Sequence, residues 1–108
     1  MKPSLSAILI AKDEEHDLPG CLASLEGVAD EVVVVVDEST TDATERVAKD
    51  AGAKVLRRRF DDYAQQRQAS LDAATGTWCL WIDADERVTP GLAVQLRATV
   101  KSSGGADG

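Results

Sequence analysis

The sequence is short of the residues that staple small proteins together or bind them to nucleic acid. It has two cysteines, Cys21 and Cys79, far apart and each inside an apolar segment. They make no metal-ligand spacing and no disulfide framework, so both read as reduced core residues, as expected in a cytoplasmic protein. The one histidine, His16, sits at an expected loop–helix junction and reads as a solvated side chain. Basic residues are outnumbered, 12 Lys and Arg against 19 Asp and Glu, for a net charge of −7. That balance excludes a broad nucleic-acid surface, and an anionic ligand would need a cation or local arginines to offset repulsion. No apolar run approaches the ~20 residues of a membrane-spanning helix. The N-terminus lacks the basic region, long apolar run and cleavage site of a signal peptide.

What is present suits one globular domain. The 108 residues are 44% hydrophobic and 29% charged, enough for a single core. Leu5–Ala11 reads as a buried strand. Leu18, Cys21, Leu22 and Leu25 then fall at i, i+3, i+4, i+7 on a short helix, with Asp17 as N-cap, Pro19 in the first turn and Gly27 as its stop. Glu31–Val36 holds five consecutive valines; a run without alternation suits a strand covered on both faces of a parallel sheet. Asp42 and Glu45 form a capping-box pattern before a second helix, whose expected buried face is Ala43, Val47, Ala48 and Ala51. Lys54–Leu56 reads as a short edge strand, and Arg57-Arg58-Arg59 as a solvated loop.

Residues 61–74 read as a helix with an apolar stripe of Ala64, Leu71 and Ala74, on which Arg67 also falls. A cation on an inward face is unusual unless paired, so Arg67 is expected to reach solvent or a ligand at the sheet edge. Trp78–Ile82 is the fourth strand. Thr89-Pro90 starts a last helix with Leu92, Leu96 and Val100 on one face. The expected domain spans residues 1–101, and 102–108, rich in glycine, reads as a disordered tail. The β-α-β-α-β-α-β-α order predicts an α/β fold with a mostly parallel four-stranded sheet and helices on both faces, a three-layer α/β/α arrangement.

Three acidic clusters fall just past strand ends: Asp13–Glu15, Asp37-Glu38 and Asp83–Asp85. In a parallel sheet those ends share one edge, where open α/β sheets bind ligands. Asp83 and Asp85 are spaced i, i+2 after Leu80-Trp81-Ile82, so both carboxylates leave the strand end on one side. Magnesium is typically held by one or two carboxylates plus substrate phosphates, which makes this a candidate metal–diphosphate site. Asp-x-Asp is also a common turn sequence, and alone it establishes nothing.

Four segments together carry a family resemblance: Ala7–Glu15, Val34–Asp42, Phe60–Arg67 and Trp81–Arg87. In order and spacing they resemble the N-terminal, nucleotide-sugar-binding half of a family 2 glycosyltransferase of the Rossmann-like GT-A fold. The nearest branch holds lipopolysaccharide-core glucosyltransferases. The resemblance spans residues 4–100. It implies a nucleoside-diphosphate sugar donor, usually a UDP-sugar, a divalent cation (Mg2+ or Mn2+), and a glycan or lipid-linked acceptor. By position, Asp37 would bind the uracil or ribose. Ala11 and Glu15 would border the nucleotide, Glu15 near the ribose. Arg67 would contact the nucleotide or its phosphates. Asp85 would coordinate the metal, with Asp83 near the donor ribose or sugar and the metal's waters.

The sequence departs from the family pattern at Asp13 (commonly Asn), Glu38 (Ser), Thr40 and Ala43 (Gly), and Gln68 (Asn). In this family the catalytic base and acceptor site follow the Asp-x-Asp segment, so no catalytic residue is assigned, and Glu86 reads as structural. Two further expectations follow: self-association through an uncovered sheet face, and peripheral association with the inner face of the membrane. A non-catalytic nucleotide-sugar-binding module is the alternative reading. A haloacid-dehalogenase phosphotransferase would carry its Asp-x-Asp early, not after three strands. A dinucleotide-binding protein would show Gly-x-Gly-x-x-Gly after the first strand.

Overall fold

A computed structural model describes residues 4–59 and 62–106 of the chain. Eight elements alternate: β1 (Leu5–Ala11), α1 (Leu18–Leu25), β2 (Glu31–Asp37), α2 (Thr44–Asp50), β3 (Lys54–Arg58), α3 (Tyr63–Ala73), β4 (Trp78–Trp81) and α4 (Pro90–Ala106). The strands form one sheet, order β3-β2-β1-β4, with every pairing parallel. The α/β fold class expected from the sequence is the fold observed. Phe60 and Asp61 lie outside the described residues, as do Asp107 and Gly108.

The pairing register assigns the two faces. Ala7 pairs with Val32 and Leu80, and Leu9 with Val34. With Leu5 and Ala11 they meet Leu18, Cys21, Leu22 and Leu25 of α1, Ala48 of α2, and Ala93 and Val100 of α4 in one apolar cluster. The opposite face carries Ser6, Ile8, Val33 and Val35 beneath α3. Both faces being covered, Ala7, Ile8 and Leu9 of β1 and Val33–Val36 of β2 are all fully buried. This is the reason for β2's unbroken valine run.

Several local expectations are corrected. Arg57 and Arg58 belong to β3, paired with Val36 and Asp37, and not to a solvated loop. Their aliphatic stems suit an edge strand, and their guanidinium groups satisfy carbonyls at loop ends: Arg57 Nη2 donates to Glu38 O at 2.6 Å and Thr40 O at 3.0 Å, and Arg58 Nη1 to Gln65 O at 2.8 Å. The capping box of α2 does not form. Asp42 Oδ1 instead accepts from Thr44 N at 2.9 Å, and Glu45 sits 3.7 Å from Lys49 Nζ. Asp17 precedes α1 but makes no side-chain cap bond. In α3 the buried residues are Gln66 and Ser70, while Ala64, Arg67 and Leu71 are exposed. The strand surface under α3 includes Ser6 and Glu31, so the inner stripe is partly polar and an apolar template misplaces it. In α4 the inward residues are Ala93, Leu96 and Val100, and Leu92 is exposed. That helix runs to Ala106, so residues 102–106 are helical where a disordered tail is expected from their glycines. Cys79 is exposed because β4 is an edge strand; Cys21 is buried.

A polar lock fastens the return from α3. Glu31 Oε1 accepts from Ser6 Oγ and Thr75 N, both at 2.9 Å, and Glu31 Oε2 from Thr75 Oγ1 at 3.0 Å. Ser6 Oγ accepts from Gly76 N at 2.9 Å. A Cβ on Gly76 would lie 2.5 Å from Ser6 Oγ and 2.8 Å from the Ser6 backbone nitrogen, too close for either to yield freely. Gly76→Ala is therefore expected to cost about 1–3 kcal/mol in urea unfolding. The Thr75 amide holds the Glu31 carboxyl below the usual range, helped by the two hydroxyls and Lys54 against partial burial. A depressed folded pKa means stability fully present above the unfolded value of about 4.3 and lost as pH falls through the folded one. Glu31→Gln should thus be less stable than the parent near about pH 7, with the gap closing towards about pH 3. A gap independent of pH would rule out the charge as its source.

Candidate functional site

β1 pairs with β2 on one side and β4 on the other, so the strand order reverses at β1: the chain runs outward through β2 and β3, then crosses back over the sheet to β4. That is the switch point at which open α/β sheets form a crevice. The loops after β1, β2 and β4 meet at this edge, and all three acidic clusters lie on them.

Asp37 ends β2 and is buried. Its Oδ1 accepts from Ser39 N at 2.9 Å and Ser39 Oγ at 3.0 Å; Oδ2 has no partner among the described residues. The Ser39 amide, then its hydroxyl, Lys12 and Arg57, hold the carboxyl below the usual range against partial burial. Asp37 is therefore an ionised acceptor with one oxygen to spare. It lines an open cavity of about 600 Å³ with Lys12, Glu38, Ser39 and Arg59. Arg57 closes the loop behind it through Glu38 O and Thr40 O. Sequence reasoning missed Lys12, Arg57 and Arg59 here. The signal for the two arginines was their place on either side of Arg58, the last residue of β3, which pairs with Asp37.

The carboxylates after β1 are largely committed to the neighbouring loop. Asp13 Oδ1 accepts from Thr41 N at 3.0 Å, and Glu15 Oε2 from Ala43 N at 3.4 Å. In return Asp42 Oδ2 accepts from Glu15 N at 3.2 Å, and Thr44 Oγ1 from Glu14 N at 2.7 Å. Thr44 Oγ1 itself donates to Asp42 Oδ1. Asp13 holds φ 51°, a left-handed conformation that Asp and Asn tolerate. Glu14 is the exception, with no side-chain partner among the described residues. Its pKa is raised by partial burial and by the Asp17, Asp85, Asp42 and Asp13 carboxylates around it. Ala11 spends its side chain on the core.

After β4 the chain alternates as the spacing predicts: Ile82 and Ala84 are buried, Asp83 and Asp85 exposed. The turn closes on itself. Glu86 N donates to Asp83 O and Asp83 N to Glu86 Oε1, both at 2.9 Å, so Glu86 is a structural residue of this turn. Partial burial, then Glu86 and Asp85, raise the Asp83 pKa. No group of three metal-ligating side chains is assembled among the described residues. Two hard carboxylates with excess negative charge between them fit a cation that completes its shell with phosphate and water, and do not make a closed cage. Arg67 stands on the same side of the sheet as Trp81, its guanidinium carbon 4.6 Å from the ring centroid, a cation–π pair. Gln66, fully buried beside it on α3, leaves both side-chain polar atoms without a hydrogen bond, as does Thr40 Oγ1.

Residues 6–103 match the family described as Glycosyl transferase family 2. The lipopolysaccharide core biosynthesis glycosyltransferase LpsC of Rhizobium meliloti is 38% identical over 84% of this chain and 35% of its own length. An uncharacterized glycosyltransferase of Rickettsia typhi is 36% identical over 82% of this chain and 30% of its own. A TPR repeat-containing protein of Synechococcus elongatus is 39% identical over 87% and 23%. The chain thus spans between 23% and 35% of the length of these relatives. Among solved structures, S. aureus TarS 1-349 superposes with TM-score 0.78 at 22% identity, over 92% of this chain and 32% of that one. Glucosyl-3-phosphoglycerate synthase of Mycobacterium tuberculosis, in complex with Mn2+, UDP and glucosyl-3-phosphoglycerate, gives 0.68 at 23%, over 79% and 36%. At those identities the likeness speaks for the fold. With the family match running over nearly the whole chain and the GT-A neighbours sharing its parallel sheet, this chain belongs to glycosyl transferase family 2.

Proposed function

We propose that the chain is the donor-binding part of a glycosyltransferase that takes a nucleoside-diphosphate sugar, with uridine as its nucleoside. The observation that carries this is one edge holding a half-committed buried carboxylate, Asp37, and an exposed carboxylate pair, Asp83 and Asp85. Asp37 Oδ2 would accept from the base or ribose, with Lys12 and Arg59 beside it and Ala11 and Glu15 bordering the nucleotide. Arg67, whose guanidinium lies over the Trp81 ring, would approach the nucleotide or its phosphates. Asp85 would hold a divalent cation, Mg2+ or Mn2+, with Asp83 near the donor ribose or sugar and the cation's waters. When bound, that cation would offset the negative charge that builds on the departing diphosphate. A neighbour of the same fold crystallised with UDP and Mn2+, and also with UDP and Mg2+, supports the choice of ligands.

Transfer to a glycan or lipid-linked acceptor with inversion needs a carboxylate base on the acceptor hydroxyl, and none is assigned among the described residues. The second reading is a module that binds donor without transferring. Trp78 at 42% exposure on β4, an edge strand of the sheet, and Val94 at 59% on α4 are apolar side chains that self-association could cover. No helix among the described residues is long and apolar enough to cross a membrane; peripheral contact at the inner membrane face would follow from a lipid-linked acceptor. Calorimetric titration of UDP with and without Mn2+ tests the donor site. Cation-dependent binding should weaken at least about tenfold in Asp37→Ala and in Asp85→Ala. A folded protein that binds no UDP would keep the family fold without its donor function.

A further inference from the structure

The turn that carries Asp83 and Asp85 is docked on α1, and one contact in that docking explains a glycine that backbone geometry does not. Cys21 Sγ donates to Asp83 O at 3.6 Å, and Val88 N donates to Ser24 Oγ at 3.0 Å. Over the same stretch of α1, Arg87 folds back on its own turn. Its Nη1 donates to Glu86 O at 2.8 Å and Ala84 O at 3.4 Å. The rest of the guanidinium occupies the space a side chain at position 20 would need. A Cβ on Gly20 would lie 2.5 Å from Nε, 2.6 Å from Nη2 and 2.7 Å from Cζ of Arg87. Gly20 does not have a positive φ, unlike Gly27 and Gly52. A glycine inside a helix costs about 1 kcal/mol against alanine, and here what it provides is room.

We propose that Arg87 is a positioning residue for the acidic turn. Seated in the notch that Gly20 leaves on α1, its guanidinium ties the Ala84 and Glu86 carbonyls and so fixes where Asp83 and Asp85 present their carboxylates. The proposal rests on the reading of those two aspartates as the cation side of a donor site. Position and charge make opposite demands on it. Arg87 is a permanent cation close to the turn, so by Coulomb's law alone its removal would strengthen cation binding. If it acts by position, its removal weakens cation binding.

The test uses Arg87→Ala, Arg87→Lys, Gly20→Ala and the Gly20→Ala/Arg87→Ala double variant of the whole chain. Mn2+ alone and UDP with Mn2+ are titrated into each, with urea unfolding as a check on folding. A methyl at position 20 meets the far end of a flexible side chain, so Gly20→Ala should keep the fold and only evict the guanidinium. Both single alanine variants are expected to bind about tenfold more weakly, a typical loss for a group that orients a ligand residue. The double variant should be no worse than about tenfold, where independent effects would multiply to about a hundredfold. Arg87→Lys keeps the charge but lacks the planar fork, and should not restore binding. Tighter Mn2+ binding in Arg87→Ala, unchanged binding, or multiplied losses in the double variant would each overturn the proposal. If the parent chain binds neither Mn2+ nor UDP, the donor reading fails, and amide exchange at Asp83 and Glu86 decides the clasp by itself. Faster exchange in both single variants supports it; parent-like exchange overturns it.

Discussion

β1 pairs in parallel on both sides, and the candidate site depends on that double pairing. Ala11 stands level with Val36, one residue before Asp37, while Ile8 stands level with Trp81, two before Asp83. The two registers set how far β2 and β4 reach relative to β1, and so bring Lys12, Asp37 and Asp83 to one edge. A slip of one residue in either pairing would turn Asp37 or Asp83 to the opposite face and bury a charge among apolar side chains. With Ala7, Ile8 and Leu9 fully buried, hydrophobic burial on both faces specifies the register that positions the acids.

An edge this acidic, in a chain of net charge −7, has to dispose of mutual repulsion. Most of the carboxylates do so by accepting backbone amides. Asp13, Glu15 and Asp42 bind the amides of one another's loops, Asp37 those of its own turn, and Glu86 that of Asp83. A carboxylate bonded to amides is stabilised in its charged form and rigidifies the loop that supplies them. What is left over among the described residues of these clusters is Glu14, Glu38, Asp83 and Asp85, together with the second oxygen of Asp37. Both Glu14 and Asp83 have pKa values raised by their neighbours as well as by burial, so the leftover charge is concentrated where the loops after β1 and β4 face each other. That is the place where a cation gains most.

What the sequence disclosed, and what it withheld, follow the range of each interaction. The valines of β2 and the alternation Ile82, Asp83, Ala84, Asp85 express burial with a period, and burial with a period is visible in one dimension. The positions of Asp37, Asp83 and Asp85 were therefore legible. The roles of Asp13 and Glu15 were not, because their partners Thr41 and Ala43 lie 28 residues away. The same limit hid Arg57, whose carbonyl partners are on another strand's loop. The inward face of α3 was misassigned to Ala64 and Leu71 because Gln66 and Ser70 cover a strand surface that includes Ser6 and Glu31, and a hydrophobic template cannot find a polar inner face. Gly20 carries no signal of its role in the sequence, because the side chain that fills its place comes from residue 87.

The two flanks of the edge differ in how complete they are. On the β2 side every loop is fastened to another part of the chain, and Arg57 joins β3 to the loop after Asp37. On the β4 side the acidic turn is fastened towards α1, through Cys21, Ser24 and the seat at Gly20. β4 pairs with β1 and lies at the end of the strand order among the described residues, with Trp78 exposed. Donor recognition, as proposed, draws on the fastened flank and so asks for nothing outside the chain. Transfer, as proposed, would further need a base opposite the departing diphosphate. On that reading donor binding would rest on loops already fastened to one another, and loosening those fastenings would be felt first in binding.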